Sequence, residues 1–151
     1  MNMKRLLILL IISIPFFACS QQNESLKEKF SDYFLIGATI NQQDYQIIDK
    51  DDRVLKIVSE DFNSVTPENS MKWMHSHPEY SKFTFSNAQK IVDFAKENDM
   101  YLLGHTLVWH NQVPDYLSDI QDSIKFNRHL KNHIFQLVTR FKNKVDMWDV
   151  V

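Results

Sequence analysis

The segment Gly104–Gln112 (GHTLVWHNQ) contains the residue types that binding of a hydroxyl-rich ligand requires. Trp109 offers a flat apolar face, and His105 and Gln112 offer directional hydrogen bonds. The segment closes an apolar run that predicts a strand, and in parallel α/β folds ligands bind at the carboxyl ends of strands. A ring with several hydroxyl groups fits that mixture. A histidine and a tryptophan packed in the core are the alternative that the pattern leaves open.

Two histidines in one segment could also bind a metal ion. Side chains alternate along a regular strand, so His105 and Trp109 point to one face while Thr106 and His110 point to the other. The two histidines would then stand about 16 Å apart. Since ligands of one metal ion must lie side by side, the sequence predicts no metal at this pair.

A second cluster follows another predicted strand, in Thr66–Trp73 (TPENSMKW). Glu68 supplies an acceptor, Asn69 an amide that both donates and accepts, and Lys72 a cationic donor. Two interpretations stay open from these residues alone. The three side chains belong to a binding loop, or Pro67 and Glu68 begin a helix in which Lys72 pairs with Glu68 four positions earlier.

Two further groups of titratable residues could do chemistry. His129 and His133 are four residues apart, which is a metal-ligand spacing on a helix. They flank an apolar stripe and have no third ligand nearby in the sequence, so we expect solvated histidines or histidines at the boundary of the core. Asp115, Asp146 and Asp149 are candidates for acid–base chemistry, although none has an evident partner in the sequence.

An alternating series of strands and helices must position these segments. Buried apolar runs predict four strands, at Tyr33–Ile40, Phe62–Thr66, Tyr101–Trp109 and Val145–Val151. Their spacing gives roughly 40 residues for each strand–helix unit, so eight units would need roughly 300 residues, as in a (β/α)₈ TIM barrel. The chain would hold about the first four β strands and three helices of that α/β fold. A doubly wound open sheet is the alternative that periodicity leaves open.

Helical periodicity fills the segments between the strands. Ser86 and Gln89 match a capping box, which predicts a helix with Ser86 as its N-cap. The predicted buried face of that helix consists of Ala88, Ile91, Val92 and Ala95. A longer apolar stripe at helical spacing consists of Leu130, Ile134, Leu137, Val138 and Phe141.

The amino-terminal residues predict export. Lys4 and Arg5 precede the apolar segment Leu6–Phe17, which is too short to cross a bilayer as a helix and is typical of a signal peptide. Ala18 and Cys19 follow, and a small residue before a cysteine resembles the lipobox of bacterial lipoproteins. We therefore expect lipidation at Cys19, with plain secretion as the alternative.

These features divide the chain into a signal peptide (1–18), a polar tether after the lipidated cysteine (19–26) and one folded domain (27–151). Removal of residues 1–18 takes away two basic residues and no acid, which leaves 15 basic and 19 acidic residues. An acidic chain without a basic stripe speaks against nucleic acid as a partner. With one cysteine, the chain has neither an internal disulfide nor a cysteine metal site.

Three motifs together resemble a known family. The segments FNSVTPENSMKW, GHTLVWHNQVPDYL and VDMWDVV are similar, in order and spacing, to the first half of family 10 glycoside hydrolases, the endo-β-1,4-xylanases. The similarity runs from about Phe34 to Val151. It implies a (β/α)₈ barrel and cofactor-free hydrolysis of xylan that retains anomeric configuration through two glutamates.

The resemblance also implies roles for individual residues. The implied substrate-binding residues are Glu68, Asn69, Lys72, His105, Trp109 and Gln112. The first three fall on the family's loop after the second strand, which binds xylose hydroxyls on the non-reducing side of the cut. The others fall on the third-strand motif, which lines the sugar at the reaction centre. His110 is implied to support this motif from behind, which argues against a metal site. Ser70 departs from the acid usual in the family, and we expect a changed loop contact there.

The resemblance places both catalytic glutamates after Val151. In the family pattern, an asparagine and the acid/base glutamate directly follow WDVV, and the nucleophile lies on a later strand. We therefore expect residues 1–151 to bind xylan or xylo-oligosaccharides but to be inactive alone. The expected complete protein is an exported, lipid-anchored bacterial xylanase at the periplasmic or cell-surface face. The alternative is a surface lipoprotein that binds glycans without cleaving them.

Overall fold

The computed structural model describes residues 24–41 and 53–151. The predicted signal peptide and the predicted lipidation site Cys19 lie outside these residues. In the two described ranges, no helix is both long and apolar enough to cross a membrane.

The described residues form short strands joined by helices. In chain order the elements are α1 (Leu26–Lys29), β1 (Gly37–Ile40), α2 (Arg53–Asp61), β2 (Ser64–Pro67), α3 (Trp73–Ser76), α4 (Ser86–Glu97), β3 (Tyr101–Gly104), a 3₁₀ helix (Asp115–Leu117), α5 (Ser123–Arg140) and β4 (Met147–Trp148). Helix α1 begins at the last residue of the predicted tether, and the Ser25 side chain caps it by accepting a hydrogen bond from the Glu28 N–H.

The four described strands form one parallel sheet in the order β1-β2-β3-β4. In the register, Gly37 pairs with Ser64, Ser64 with Tyr101, and Leu103 with Met147. Helices α2, α4 and α5 connect successive neighbours. A doubly wound sheet reverses its strand order at a switch point, and the described strands show no reversal. The predicted portion of a (β/α)₈ barrel, with four strands and three connecting helices, is confirmed.

The first strand is shorter than the apolar run predicted. It begins at Gly37, whereas Tyr33 belongs to the turn that follows α1 and Phe34 to the irregular segment after that turn. The Phe34 N–H donates to the Phe30 carbonyl over 3.1 Å, and the two phenylalanine rings stack with their centroids 5.2 Å apart. This local packing against the end of α1 competes with extension of the strand.

The third strand also ends earlier than predicted, at Gly104. The peptide bond between His105 and Thr106 is cis. Pairing with the last strand's segment resumes at Leu107, whose N–H donates to the Asp149 carbonyl over 3.0 Å. Thr106 and Leu107 are consecutive and both buried. The strict alternation predicted across the motif is therefore wrong.

The end of β3 is closely packed against β4. The six-membered ring of Trp148 lies where a Cβ at Gly104 would stand, so only glycine allows this approach. Strand β4 itself has two residues, far fewer than predicted. Backbone pairing nevertheless continues beyond it, because the Val108 N–H donates to the Val150 carbonyl over 3.1 Å.

The core lies between the sheet and helices α4 and α5. Val65 and Leu102 contribute from the sheet, Leu137 contributes from α5, and Phe141 contributes from the C-cap of that helix. Removing a side chain of this size from water stabilises the fold by about 1.5–3 kcal/mol. The predicted buried face of α4 is confirmed, since all four of its residues are buried: Ala88, Ile91, Val92 and Ala95.

The capping box predicted for α4 is wrong. Ser86 is the first helical residue, the N-cap is Phe85, and no side chain caps the helix. The Phe85 ring instead packs edge-on against Phe141, with the centroids 5.7 Å apart and the planes at 82°. Burial of an aromatic ring, rather than a hydroxyl cap, therefore positions the start of α4.

Helix α5 carries the long apolar stripe as predicted, but its histidines differ from expectation. The Asp122 side chain caps the helix by accepting from the N–H of Ile124 over 2.8 Å. His129 and His133, expected to be solvated or at the core boundary, are both buried and only 6% and 0% exposed. His133 is buried by contacts with rings from other segments, and these contacts connect α5 to the candidate site.

Candidate functional site

The candidate site lies at the carboxyl ends of β2, β3 and β4. Parallel strands that share an edge bring their following loops together. The loop after β2 and the loop after β3 supply the six residues predicted for ligand binding, which we call the polar wall: Glu68, Asn69, Lys72, His105, Trp109 and Gln112.

Lys72 joins the two loops of the polar wall. It is buried, and its Nζ donates to Asn69 Oδ1 over 3.1 Å. The same Nζ lies 4.7 Å from the centroid of the Trp109 ring, in position for a cation–π contact. An ammonium group has only donors, so the Asn69 amide must present its oxygen to Lys72 and keep its NH₂ group for another partner.

The helix-start interpretation of this cluster is wrong. Lys72 is the N-cap of α3 with extended backbone angles, φ −63° and ψ 152°, and its ammonium group is bonded to Asn69 rather than to Glu68. The Glu68 N–H donates to the Ile40 carbonyl over 2.9 Å, which holds the start of the loop at the sheet edge. The Glu68 side chain is exposed there and offers two acceptor oxygens to solvent.

His105 has a carboxylate partner that sequence reasoning missed. Its Nδ1 lies 2.8 Å from Asp149 Oδ2. A carboxylate only accepts, so Nδ1 carries the hydrogen and Nε2 is turned to other partners. The Thr106 hydroxyl donates to the Asp149 carbonyl over 3.0 Å, which fixes the backbone of the partner. The strand register contains the signal for this pair, because both residues directly follow the paired positions Gly104 and Trp148.

The other two aspartates considered for acid–base chemistry do not join this site. The Asp146 carboxylate, before β4, accepts from the N–H of Leu102 over 2.7 Å. Asp115 is exposed in the 3₁₀ helix. Of the three, only Asp149 contacts the polar wall.

Trp109 is half-buried and contacts two different neighbours. One is the Lys72 Nζ over its ring. The other is the His110 ring, which meets it edge-on, with centroids 5.5 Å apart and planes at 70°. His110 is exposed, and its Nε2 lies 3.0 Å from Asn111 Nδ2. The indole therefore keeps a partly exposed apolar face beside a cation, an arrangement suited to stacking on a sugar ring.

Gln112 ties the loop after β3 to helix α3. Its carbonyl accepts from the Met74 N–H over 2.9 Å, and its φ of 53° is in the left-handed region that non-glycine residues rarely adopt. In the described part of the chain, Gln112 Oε1 and Ser70 Oγ are buried without a hydrogen-bond partner. Ser70 is only 2% exposed, so its hydroxyl is buried and is not presented to a ligand.

A group of four rings, three buried and one half-buried, packs next to the polar wall residue Lys72, and sequence reasoning missed it. We call Trp73, His77, Tyr116 and His133 the buried ring stack. The Trp73 Nε1–H donates to the Tyr116 hydroxyl over 3.1 Å, and that hydroxyl lies 3.2 Å from His77 Nδ1. His77 Nε2 lies 3.2 Å from the Tyr80 carbonyl. A carbonyl only accepts, so Nε2 carries the hydrogen and Nδ1 accepts from Tyr116.

Burial sets the charge state of the stack. It lowers the pKa of His133 to about 4 and lowers the pKa of His77 below its usual range, because a buried imidazolium loses its hydration. Burial also raises the pKa of Tyr116. The stack is therefore uncharged at neutral pH.

The described residues contain no group of three or more His, Cys, Asp or Glu placed to hold a metal ion.

Comparison with known proteins connects this geometry to one family. The family model described as Glycosyl hydrolase family 10 matches residues 25–151. A Beta-1,4-xylanase of Dictyoglomus thermophilum is 42% identical over 150 residues, which covers 97% of this chain and 40% of the relative. An Endo-1,4-beta-xylanase A of Caldicellulosiruptor saccharolyticus is 39% identical over 135 residues, which covers 85% of this chain and 38% of the relative.

Solved structures similar to this chain are xylanases as well. Xylanase 10B from Thermotoga petrophila RKU-1, in complex with xylobiose, has a TM-score of 0.80 and 38% identity, and the match covers 86% of this chain and 40% of that one. Native xylanase 10B from Thermotoga maritima has a TM-score of 0.78 and 38% identity over 84% of this chain and 40% of that one. The chain spans about two fifths of the length of the relatives it matches.

Proposed function

The chain belongs to glycosyl hydrolase family 10, and from this premise we propose that the protein hydrolyses β-1,4-xylosidic bonds within xylan. The observation that carries the proposal is the polar wall, in which Lys72 joins Asn69 and Trp109 at the carboxyl ends of adjacent parallel strands. Two supports come from relatives: those reported above are named xylanases, and one of them is solved with xylobiose bound.

The proposed binding roles follow from the chemistry of each side chain. Trp109 stacks on the apolar face of a xylose ring, while Lys72 donates to its hydroxyl groups. Asn69 donates through the NH₂ group that Lys72 leaves available, and Glu68 accepts from hydroxyl groups. His105, held by Asp149, presents Nε2 to the same sugar. Gln112 completes the loop that carries Trp109.

Retaining hydrolysis needs more than these residues. It requires two carboxyl groups about 5–5.5 Å apart, one to protonate the leaving oxygen and one to attack the anomeric carbon. In the family pattern both glutamates follow the WDVV segment. The proposed contribution of residues 1–151 is therefore substrate binding, and these residues alone do not cleave xylan.

The test is release of reducing ends from β-1,4-xylan by the full-length protein. The proposal expects internal cleavage, seen as an early fall in viscosity, and no release by residues 1–151 alone. Lys72→Met is the matched variant that tests the lysine donor, because methionine keeps much of the apolar stem and removes the ammonium group. Absence of cleavage by the full-length protein would overturn the proposed activity. Binding of xylan without cleavage would favour the glycan-binding alternative.

The proposed location is outside the cytoplasm, with a lipid anchor at Cys19. Its support is the basic Lys4–Arg5 pair, the apolar segment Leu6–Phe17 and the following cysteine. Substitution Cys19→Ser should move the protein from the membrane fraction to a soluble exported fraction. Retention of the variant in the membrane fraction would contradict the anchor.

A further inference from the structure

His133, on the helix before β4, contacts the residue that follows Lys72. Its ring stacks on the Trp73 indole with the centroids 4.4 Å apart and the planes at 2°. His133 is completely buried, and Trp73 is buried with it. Since Trp73 directly follows the N-cap residue Lys72, this stack restrains the backbone from which the lysine side chain departs.

The same histidine also contacts the other loop of the polar wall. His133 Nε2 lies 3.0 Å from the carbonyl oxygen of Leu107, two residues before Trp109. The carbonyl only accepts, so Nε2 carries the hydrogen and the ring donates. One side chain on α5 therefore touches both segments whose tips, Lys72 and Trp109, form the cation–π contact.

A purely space-filling role does not explain a histidine at this place. His133 Nδ1 is buried and has no hydrogen-bond partner among the described residues, which destabilises the fold. A phenylalanine would fill the same flat space against Trp73 without that unpaired acceptor. What phenylalanine could not do is donate to the Leu107 carbonyl. The one contact that phenylalanine cannot replace is thus the hydrogen bond to the loop that carries Trp109.

We propose that His133 is a positioning residue for sugar binding, which sets the distance between Lys72 and Trp109 by donating to the Leu107 carbonyl. It touches no substrate itself. The backbone bond from the Met74 N–H to the Gln112 carbonyl is a second connection to the loop after β3, from helix α3. This inference rests on the proposed function, because the distance matters only if the wall binds a sugar.

Two substitutions separate the stack from the hydrogen bond. His133→Phe keeps a flat ring on Trp73 and removes the donor to Leu107. His133→Gln removes the ring but places an amide N–H near the position of the imidazole Nε2–H. A space-filling role predicts that Phe is the milder change for every property. The positioning role predicts that His133→Gln is the milder change for hydrogen exchange in the loop and for sugar affinity.

The first readout needs no sugar. Amide hydrogen exchange in the full-length protein should be about tenfold faster for residues 105–112 in His133→Phe, and should stay at the parental rate in His133→Gln. Helix α4 serves as the internal control and should be unchanged in both. Parental exchange of 105–112 in His133→Phe would overturn the proposal, because the donor would then not hold the loop.

The second readout is the affinity for xylotriose. His133→Phe should weaken binding about tenfold without a lower melting temperature, and His133→Gln should stay within about threefold of the parent. Weak binding by both variants, or unchanged binding by His133→Phe, would overturn the proposal. If His133→Phe does not fold, parental affinity in His133→Gln supports the proposal and lost affinity overturns it. A parent protein that binds no xylotriose would defeat the proposed function instead, and the exchange rates would still decide whether His133 holds the loop.

Discussion

The polar wall and the buried ring stack are joined by consecutive residues, Lys72 and Trp73, yet they pair their polar groups differently. In the wall, Glu68 is exposed, and Asn69 uses its oxygen on Lys72 and keeps its NH₂ group. In the stack, the polar groups of Trp73, Tyr116 and His77 bond to one another. A region that binds a ligand keeps donors and acceptors available to it, whereas a supporting region uses most of them within the protein. His133 Nδ1 is the one ring nitrogen of the stack without a partner among the described residues. The comparison predicts that changes in the stack alter stability and changes in the wall alter affinity. His133 is the exception in the stack, because it also bonds to the loop that carries Trp109.

The largest expected effect is in the stack. Trp73→Ala removes a buried indole that contacts His133 and donates to Tyr116, and should lower the free energy of unfolding by about 3–5 kcal/mol. Urea denaturation measures this change. Trp109→Ala, the matched substitution in the wall, should lower it by about 1 kcal/mol because that indole is only half-buried. Equal losses would show that the two regions do not differ as described.

The next effect is the response of the stack to acid. His133 has a pKa of about 4 in the folded protein and near 6.5 when unfolded, so the unfolded chain binds the extra proton between these values. Stability is therefore unaffected above about pH 6.5 and falls as the pH drops to about 4, by about 3 kcal/mol in total. The lowered pKa values of His77 and His129 act in the same direction.

Urea midpoints between pH 7 and pH 4 test this response. Many carboxylates also titrate in the lower part of that range, so the informative quantity is the difference between the parent and His133→Phe. The variant should lose less stability than the parent over the same interval. Identical slopes for the two proteins would mean that His133 is not buried in its neutral form.

The third effect belongs to the wall. Trp109→Ala removes the stacking face and should weaken xylotriose binding at least about 30-fold, equivalent to about 2 kcal/mol. Trp109→Phe keeps a smaller flat face and should retain part of the affinity. Isothermal titration measures both. Parental affinity in Trp109→Ala would remove this residue from the proposed binding site.

Much of the fold could be predicted because it depends on local patterns. Apolar runs located four strands, and helical spacing located the buried face of α4. The predictions were wrong where contacts between residues far apart in the sequence determine where an element begins or ends. The start of α4 depends on Phe85 packing on Phe141, and the end of β3 depends on Trp148 packing over Gly104. Both contacts join residues more than 40 positions apart, which periodicity does not register.

In the candidate site, too, the sequence predicted features that depend on local patterns and missed those that depend on contacts between distant residues. Glu68, Asn69 and Lys72 were found because they follow a strand directly, and the structure brings Lys72 to Trp109. The pairing of His105 with Asp149 was missed because it needs the register of two strands 44 residues apart. The burial of His133 was missed because a histidine beside an apolar stripe has the same sequence pattern whether or not a tryptophan from another segment covers it.

The proposed function depends on binding of a xylose polymer by Lys72 and the polar wall around it. Isothermal titration calorimetry of the full-length protein with xylotriose, in parallel with Lys72→Met, is the decisive experiment. We expect binding by the parent, at least about tenfold weaker binding by the variant, and equal melting temperatures for the two. No binding by the parent, or equal binding by both proteins, would overturn this proposal.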